Sequence, residues 1–135
     1  MSRVAGFALL ICVALMGSTA HAADRMQPGQ WAFTTTTDGV SRSFKQCVNA
    51  EEALSANGDT KTARAAAEKK AGASSCVIKA YDVNGATVTY TIECRGSLIE
   101  STQTYHGDSS EGILKSTRAG KKATTAVKGR RIGAC

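Results

Sequence analysis

His106, Asp108, Ser109 and Glu111 bring an imidazole, two carboxylates and a hydroxyl into one short stretch, the side-chain types an acyl-transfer hydrolase needs. Such a site works only if nucleophile, base and orienting acid converge in hydrogen-bond geometry. Groups this close in one tight loop rarely do so. The plainer reading is a hairpin loop in which Gly107 supplies φ above zero and Asp108 or Ser109 bonds the nearby backbone. Glu93, Glu100 and Glu111 could pair for glycoside cleavage, but strand-exposed Glu beside Lys is the commoner situation. The chain therefore reads as non-enzymatic, with a low-turnover hydrolase at the His106, Asp108 and Ser109 loop as the alternative.

The next chemically capable set is Cys47, Cys76, Cys94 and Cys135. An even number in an exported chain points to structural disulfides. A metal site lacks support, since there is no C-x-x-C pair and His106 is the only imidazole after the leader. No metal or cofactor is expected.

Charge is unevenly distributed. Lys115, Arg118, Lys121, Lys122, Lys128, Arg130 and Arg131 follow Ile113 with no acid among them, while residues 23–112 carry 9 cations against 11 acids. A cationic strand edge results, suited to an anionic envelope component such as lipid headgroups, lipopolysaccharide or an acidic protein. The competing explanation is that Lys and Arg on a terminal strand block edge-to-edge association. Nucleic acid is not expected, because export removes the usual partner and aromatic residues do not interleave the cations.

Positioning these groups requires strands. Trp31 to Thr37 alternates aromatic and Thr residues, Asp38-Gly39 is a hairpin turn, and Phe33 then faces Phe44. Asn49 followed by Glu52 signals a helix start, Asn57-Gly58-Asp59 interrupts it, and a second, Ala-rich helix spans about Thr60 to Ala71, ending at Gly72. Cys76 to Val83 and Ala86 to Cys94 form the clearest hairpin. A three-residue loop, Asn84 to Ala86, would oppose Ala80 to Tyr90, Ile78 to Ile92 and Cys76 to Cys94. Strands at Leu98 to Tyr105, Glu111 to Arg118 and about Lys121 to Lys128 complete a meander. The expected fold is mainly β, with about seven antiparallel strands in a curved or closed sheet and one helical excursion. Cys76–Cys94 follows from the hairpin, and Cys47–Cys135 follows if the first hairpin packs beside the last strand. Cys47–Cys76 with Cys94–Cys135 stays open. Trp31, Phe33, Phe44, Ile78, Tyr90 and Ile92 could line a pocket for a small apolar ligand or could form the whole core.

The 135 residues carry 17 Lys and Arg against 11 Asp and Glu. Residues 1–22 read as a signal peptide: Arg3, an apolar run from Val4 to Met16, and Ala20-His21-Ala22, with cleavage after Ala22. That run is shorter than the ~20 residues of a spanning helix, so no transmembrane segment is expected in the mature chain. Cys12 leaves with the leader. The remaining residues 23–135, read as one disulfide-stabilised domain in the periplasm, contain 16 Leu, Ile, Val and Phe among 113. That is below the ~20% at which a packed core needs other support. Disulfides, at ~2 to 4 kcal/mol each, offset that deficit.

Several pieces together resemble a known family. They are Met26-Gln27-Pro28-Gly29-Gln30-Trp31, Gln46-Cys47-Val48, Tyr81-Asp82-Val83-Asn84-Gly85, Val88-Thr89-Tyr90 before Cys94, Tyr105 to Gly112, and Gly129-Arg130-Arg131-Ile132-Gly133-Ala134-Cys135. The chain resembles the small exported bacterial proteins of domain-of-unknown-function family thirty-six-seventeen. Ser110 stands where that family commonly has an aromatic residue, and Met-rich stretches are missing. The resemblance implies a Gram-negative envelope location and a β-rich fold, and it carries no activity or catalytic residues. The function expected is a small envelope binding or interaction protein using its cationic edge or concave face.

Overall fold

Alternation of aromatic, β-branched and polar residues commits most of the described residues to strand. The computed structural model describes residues 24–135. The expected leader, its cleavage site and Cys12 lie outside the described residues. The strands are β1 (Gly29–Thr37), β2 (Val40–Val48), β3 (Cys76–Asn84), β4 (Thr87–Cys94), β5 (Ser97–Tyr105), β6 (Ser109–Arg118) and β7 (Lys121–Gly133). Asp38-Gly39, Arg95-Gly96 and Ala119-Gly120 reverse the chain with both residues at positive φ, the twist that matches antiparallel neighbours. All seven strands form one antiparallel sheet in the order β2-β1-β7-β6-β5-β4-β3. The first hairpin thus packs beside the last strand, and the sheet stays open, with β2 and β3 as its edges.

That order fixes the role of the helices. The chain leaves the sheet at one edge and re-enters at the other, and the connection is α1 (Ala50–Asn57) followed by α2 (Thr60–Ala73). Asn49 starts α1 with a capping box: its Oδ1 accepts from Glu52 N, and its own N–H donates to Glu52 Oε2, both at 2.9 Å. Asp59 starts α2 by accepting from Thr62 N at 2.7 Å. Gly72 does not end α2. The helix runs to Ala73, and Ser75 takes the left-handed conformation instead.

Register in the β3–β4 hairpin differs from the expectation. Asn84 pairs with Thr87 across a two-residue turn, so Tyr81 rather than Ala80 faces Tyr90. A bulge at Lys79 then absorbs one residue, which restores Ile78 opposite Ile92 and Cys76 opposite Cys94. The last strand runs past Lys128 to Gly133 because β1 pairs along it.

The sheet is strongly curved. Phe44 on β2 and Tyr90 on β4 line a single cavity of about 240 Å³. Five strand spacings would hold them about 24 Å apart in a flat sheet. On the inner, helix-covered face, Trp31 is completely buried among Met26, Val48, Ala53 and Ala56. Its Nε1 donates to Gln27 O at 2.8 Å. Two side chains clamp the segment before β1 to the end of α1. Arg25 Nη1 donates to Ala56 O and Gly58 O, each at 2.9 Å. Asn57 exchanges two hydrogen bonds with the Met26 backbone.

Candidate functional site

Period-two alternation places Phe33 and Phe44, Val88, Tyr90 and Ile92, Ile99 and Tyr105, Leu114, and Ile78 and Tyr81 on the inner face. Over the β3–β6 half of that face, α2 presents the short side chains of Ala67 and Ala71. A cavity of about 410 Å³ remains there, walled by Ile78, Val88, Tyr90, Ile92, Ile99 and Leu114. The smaller cavity beneath Phe33 and Phe44 shares Tyr90, Tyr105 and Leu114 with it. The two form one trough, in which Lys70 at the helix side is the single charged lining residue.

Small residues widen the trough floor. A Cβ at Gly129 would collide with the Phe33 ring and Ser110 Oγ, and one at Gly112 would collide with Gln103 Oε1. Glycine at both positions lets Phe33 and Gln103 lie flat against the sheet. Gln103 and Ser110 are buried, and Gln103 Nε2 donates to Ser110 Oγ at 3.2 Å.

Three tyrosines supply the remaining polar groups. Tyr81 stacks on Tyr90 with ring centroids 5.9 Å apart, and its hydroxyl donates to Ser55 O on α1. Burial pushes the Tyr81 phenol up to about 12, with Tyr90 adding to the rise. Tyr105, more deeply buried, is pushed up further, again chiefly by desolvation. The trough therefore disfavours negative charge.

The residues singled out from the sequence divide among several places. Of the six apolar candidates, Ile78, Tyr90 and Ile92 line the larger cavity and Phe33 and Phe44 the smaller, whereas Trp31 is core. Pocket and core are thus adjoining parts of one face. Tyr105, Val88, Ile99 and Leu114 were not among the sequence candidates. Extending the alternation through residues 87–105 and 109–118 places them on the same face as Tyr90. The disulfides join Cys47 to Cys135 and Cys76 to Cys94.

The cationic strand edge is not formed. β7 is hydrogen-bonded to β1 on one side and β6 on the other, so its backbone offers no free edge. The seven cations also part company. Lys115, Lys122, Lys128 and Arg130 point to the outer face, Arg118 and Lys121 flank the β6–β7 turn, and Arg131 turns inward, its Nε donating to Pro28 O at 2.8 Å. Acids interrupt the outer set, with Glu100 opposite Lys115 and Glu111 opposite Lys128. The outer hollow beside them, about 600 Å³, is lined by Glu100, Glu111, Lys115 and Lys128, by Thr102 and Thr104, and by the apolar side chains of Ile113, Ala126 and Val127.

His106 Nε2 stands 3.8 Å from Glu111 Oε1, and both side chains are exposed. The loop is held by its backbone, with His106 N donating to Ser109 O at 2.8 Å. No hydrogen bond joins the His106 imidazole to the Ser109 hydroxyl among the described residues. Glu93, Glu100 and Glu111 sit on the outer face of three successive strands, and Glu93 is paired with Lys79 at 3.5 Å.

Among the described residues no group of three or more His, Cys, Asp or Glu side chains could hold a metal, and no helix is long and apolar enough to cross a membrane. A family model described as "Protein of unknown function (DUF3617)" matches residues 26–135. No curated protein and no solved structure matches the chain.

Proposed function

The chain belongs to this family of proteins of unknown function, and we propose that it is a non-enzymatic binding protein of the bacterial envelope, holding a small apolar ligand in the trough between α2 and the curved sheet. The carrying observation is the cavity of about 410 Å³ walled by Ile78, Tyr90, Ile92, Ile99 and Leu114. A volume of that size falls within the ~300 to 1,000 Å³ of small-molecule sites, which are mostly apolar with a few placed polar groups. Export to the periplasm is supported by the leader composition and by two disulfides, which persist in oxidising compartments. A non-enzymatic role is favoured because the His106 side chain is exposed and, although it shares an outer hollow with Ser109 and Ser110, makes no hydrogen bond to either hydroxyl among the described residues.

The test uses the exported, oxidised protein and Nile red, whose fluorescence rises in apolar surroundings. The protein should take up the dye, and Ile92→Trp, which fills the cavity, should abolish uptake. Reversing the outer charges with Lys115→Glu, Lys122→Glu and Lys128→Glu should leave uptake unchanged. Uptake lost with the charge reversals and kept in Ile92→Trp would move binding to the outer face and sink the proposal.

A further inference from the structure

The trough is not uniformly apolar, and its polar atoms narrow the ligand. Tyr90 and Tyr105 both line the two cavities and so stand at their junction. Neither hydroxyl is hydrogen-bonded to another described residue, in contrast to Tyr81, whose hydroxyl is satisfied by Ser55 O. Yet no fully buried side-chain oxygen or nitrogen is left without a partner among the described residues. Both hydroxyls therefore keep accessible surface, and on side chains that line the trough they are donors with no acceptor among the described residues. Gln103 and Ser110, bonded to each other at 3.2 Å, lie on the floor of the smaller cavity.

Two free phenolic donors in an apolar trough ask for an acceptor oxygen, because a donor left unpaired in a desolvated site loses the energy of its bond to water. The acceptor should be neutral. The one cation, Lys70, sits on the exposed face of α2 and not at the junction. A carboxylate buried beside the tyrosines would lack the compensating charge that burial requires. We infer that the trough takes a neutral apolar molecule bearing a carbonyl-type oxygen, an ester or ketone, with that oxygen accepting hydrogen bonds from Tyr90 and Tyr105. This inference rests on the trough being a ligand site and specifies the class of ligand.

Nile red displacement from the exported, oxidised protein by tridecane, methyl laurate and laurate tests it, each ligand used below its solubility limit. Methyl laurate should displace the dye at roughly tenfold lower concentration than tridecane, the ratio one net hydrogen bond supplies. Laurate should be weaker than the ester. Tyr105→Phe and Tyr90→Phe, which keep the ring and its packing, should remove most of the ester preference and leave tridecane unchanged. Equal displacement by ester and alkane, or a preference that survives both substitutions, overturns the ligand class while leaving the trough as an apolar site. Stronger displacement by laurate, lost in Lys70→Ala, overturns it in favour of an anion held at the rim. Failure of Nile red to bind at all removes both the class and the site.

Discussion

At the Trp31 end of the inner face, α1 and the sheet meet across a filled interior. Ala53 and Ala56 pack on Met26, Trp31 and Val48, and Trp31 is fully buried. At the other end, α2 faces Ile78, Ile92 and Leu114 across a cavity of about 410 Å³. Both helices present Ala to the same sheet, so helix composition does not explain the contrast. The filled end has an indole and a methionine long enough to reach the helix, and Arg25 and Asn57 bind α1 to that end. The open end has Val88, Ile, Leu and Tyr side chains and the Cys76–Cys94 bridge facing Ala67 and Ala71. A cavity persists where side chains from the two layers do not meet and hydrogen bonds elsewhere hold the layers apart. Among these is the Tyr81 hydroxyl bound to Ser55 O. Filled packing lies at one end of the face and open space at the other.

The two disulfides probe the contrast most strongly. Cys47–Cys135 runs beside the filled end and joins residues 88 apart. Cys76–Cys94 walls the open cavity and joins residues 18 apart. Loop-closure entropy makes the first worth about 4.6 kcal/mol and the second about 3.2 kcal/mol. Urea unfolding of Cys47→Ser/Cys135→Ser should therefore show the larger loss, and Cys76→Ser/Cys94→Ser the smaller. An equal or reversed order would mean that the Cys76–Cys94 bridge also supports the cavity wall, which would make the open end structurally dearer than its empty volume suggests.

Much of this arrangement is legible in the residues. The Asp38-Gly39 turn sets the β1–β2 register, and alternation alone puts Phe33 opposite Phe44. Cys76 facing Cys94 is also readable, but by a route the sequence hides. The two-residue turn at Gly85-Ala86 shifts every pair near the turn, and the bulge at Lys79 shifts them back. A bulge is decided by how the strand must bend to follow the sheet, which no local propensity records. For the same reason the seven cations read as one edge in sequence. Only strand order shows that β1 covers that edge and that alternation sends the charges to both faces. The Ala-rich α2 does signal light packing. That the resulting space lies over Tyr90 and Tyr105 depends on the helices bridging β2 to β3, a non-local fact.

Leucine substitution distinguishes the ends at the next scale of effect. Ala56→Leu at the filled end adds three carbons where there is no room and should cost about 1 to 3 kcal/mol in urea unfolding. Ala67→Leu points the same carbons into the cavity and should stabilise by about 0.5 to 2 kcal/mol while excluding Nile red. Opposite signs from one chemical change would establish the asymmetry directly. If Ala67→Leu destabilises as much as Ala56→Leu, the open end is as tightly packed as the filled one and the trough reading fails.

The smallest expected effect separates the two helix starts. α1 begins with neutral Asn49, α2 with Asp59. Accepting from the Thr62 backbone N–H holds the Asp59 carboxyl below its ordinary value. A depressed carboxyl stabilises the fold at pH above its unfolded-state value, about 3.9. That contribution disappears as pH falls through the lower folded-state value. Acidification should therefore fray the start of α2, one turn before the part that lines the cavity, seen as faster amide hydrogen exchange at Thr62 and Ala63. Asp59→Asn keeps the cap, since Asn is an equally good N-cap residue, but carries no charge to titrate. It should remove that acid-dependent fraying at α2 while leaving the amides of Glu52 and Ala53 in α1 as they are in the parent protein. Equal fraying of both variants would show that α2 is held at its start by packing against β3 and not by its cap, so that the roof of the open end is firmer than its alanines imply.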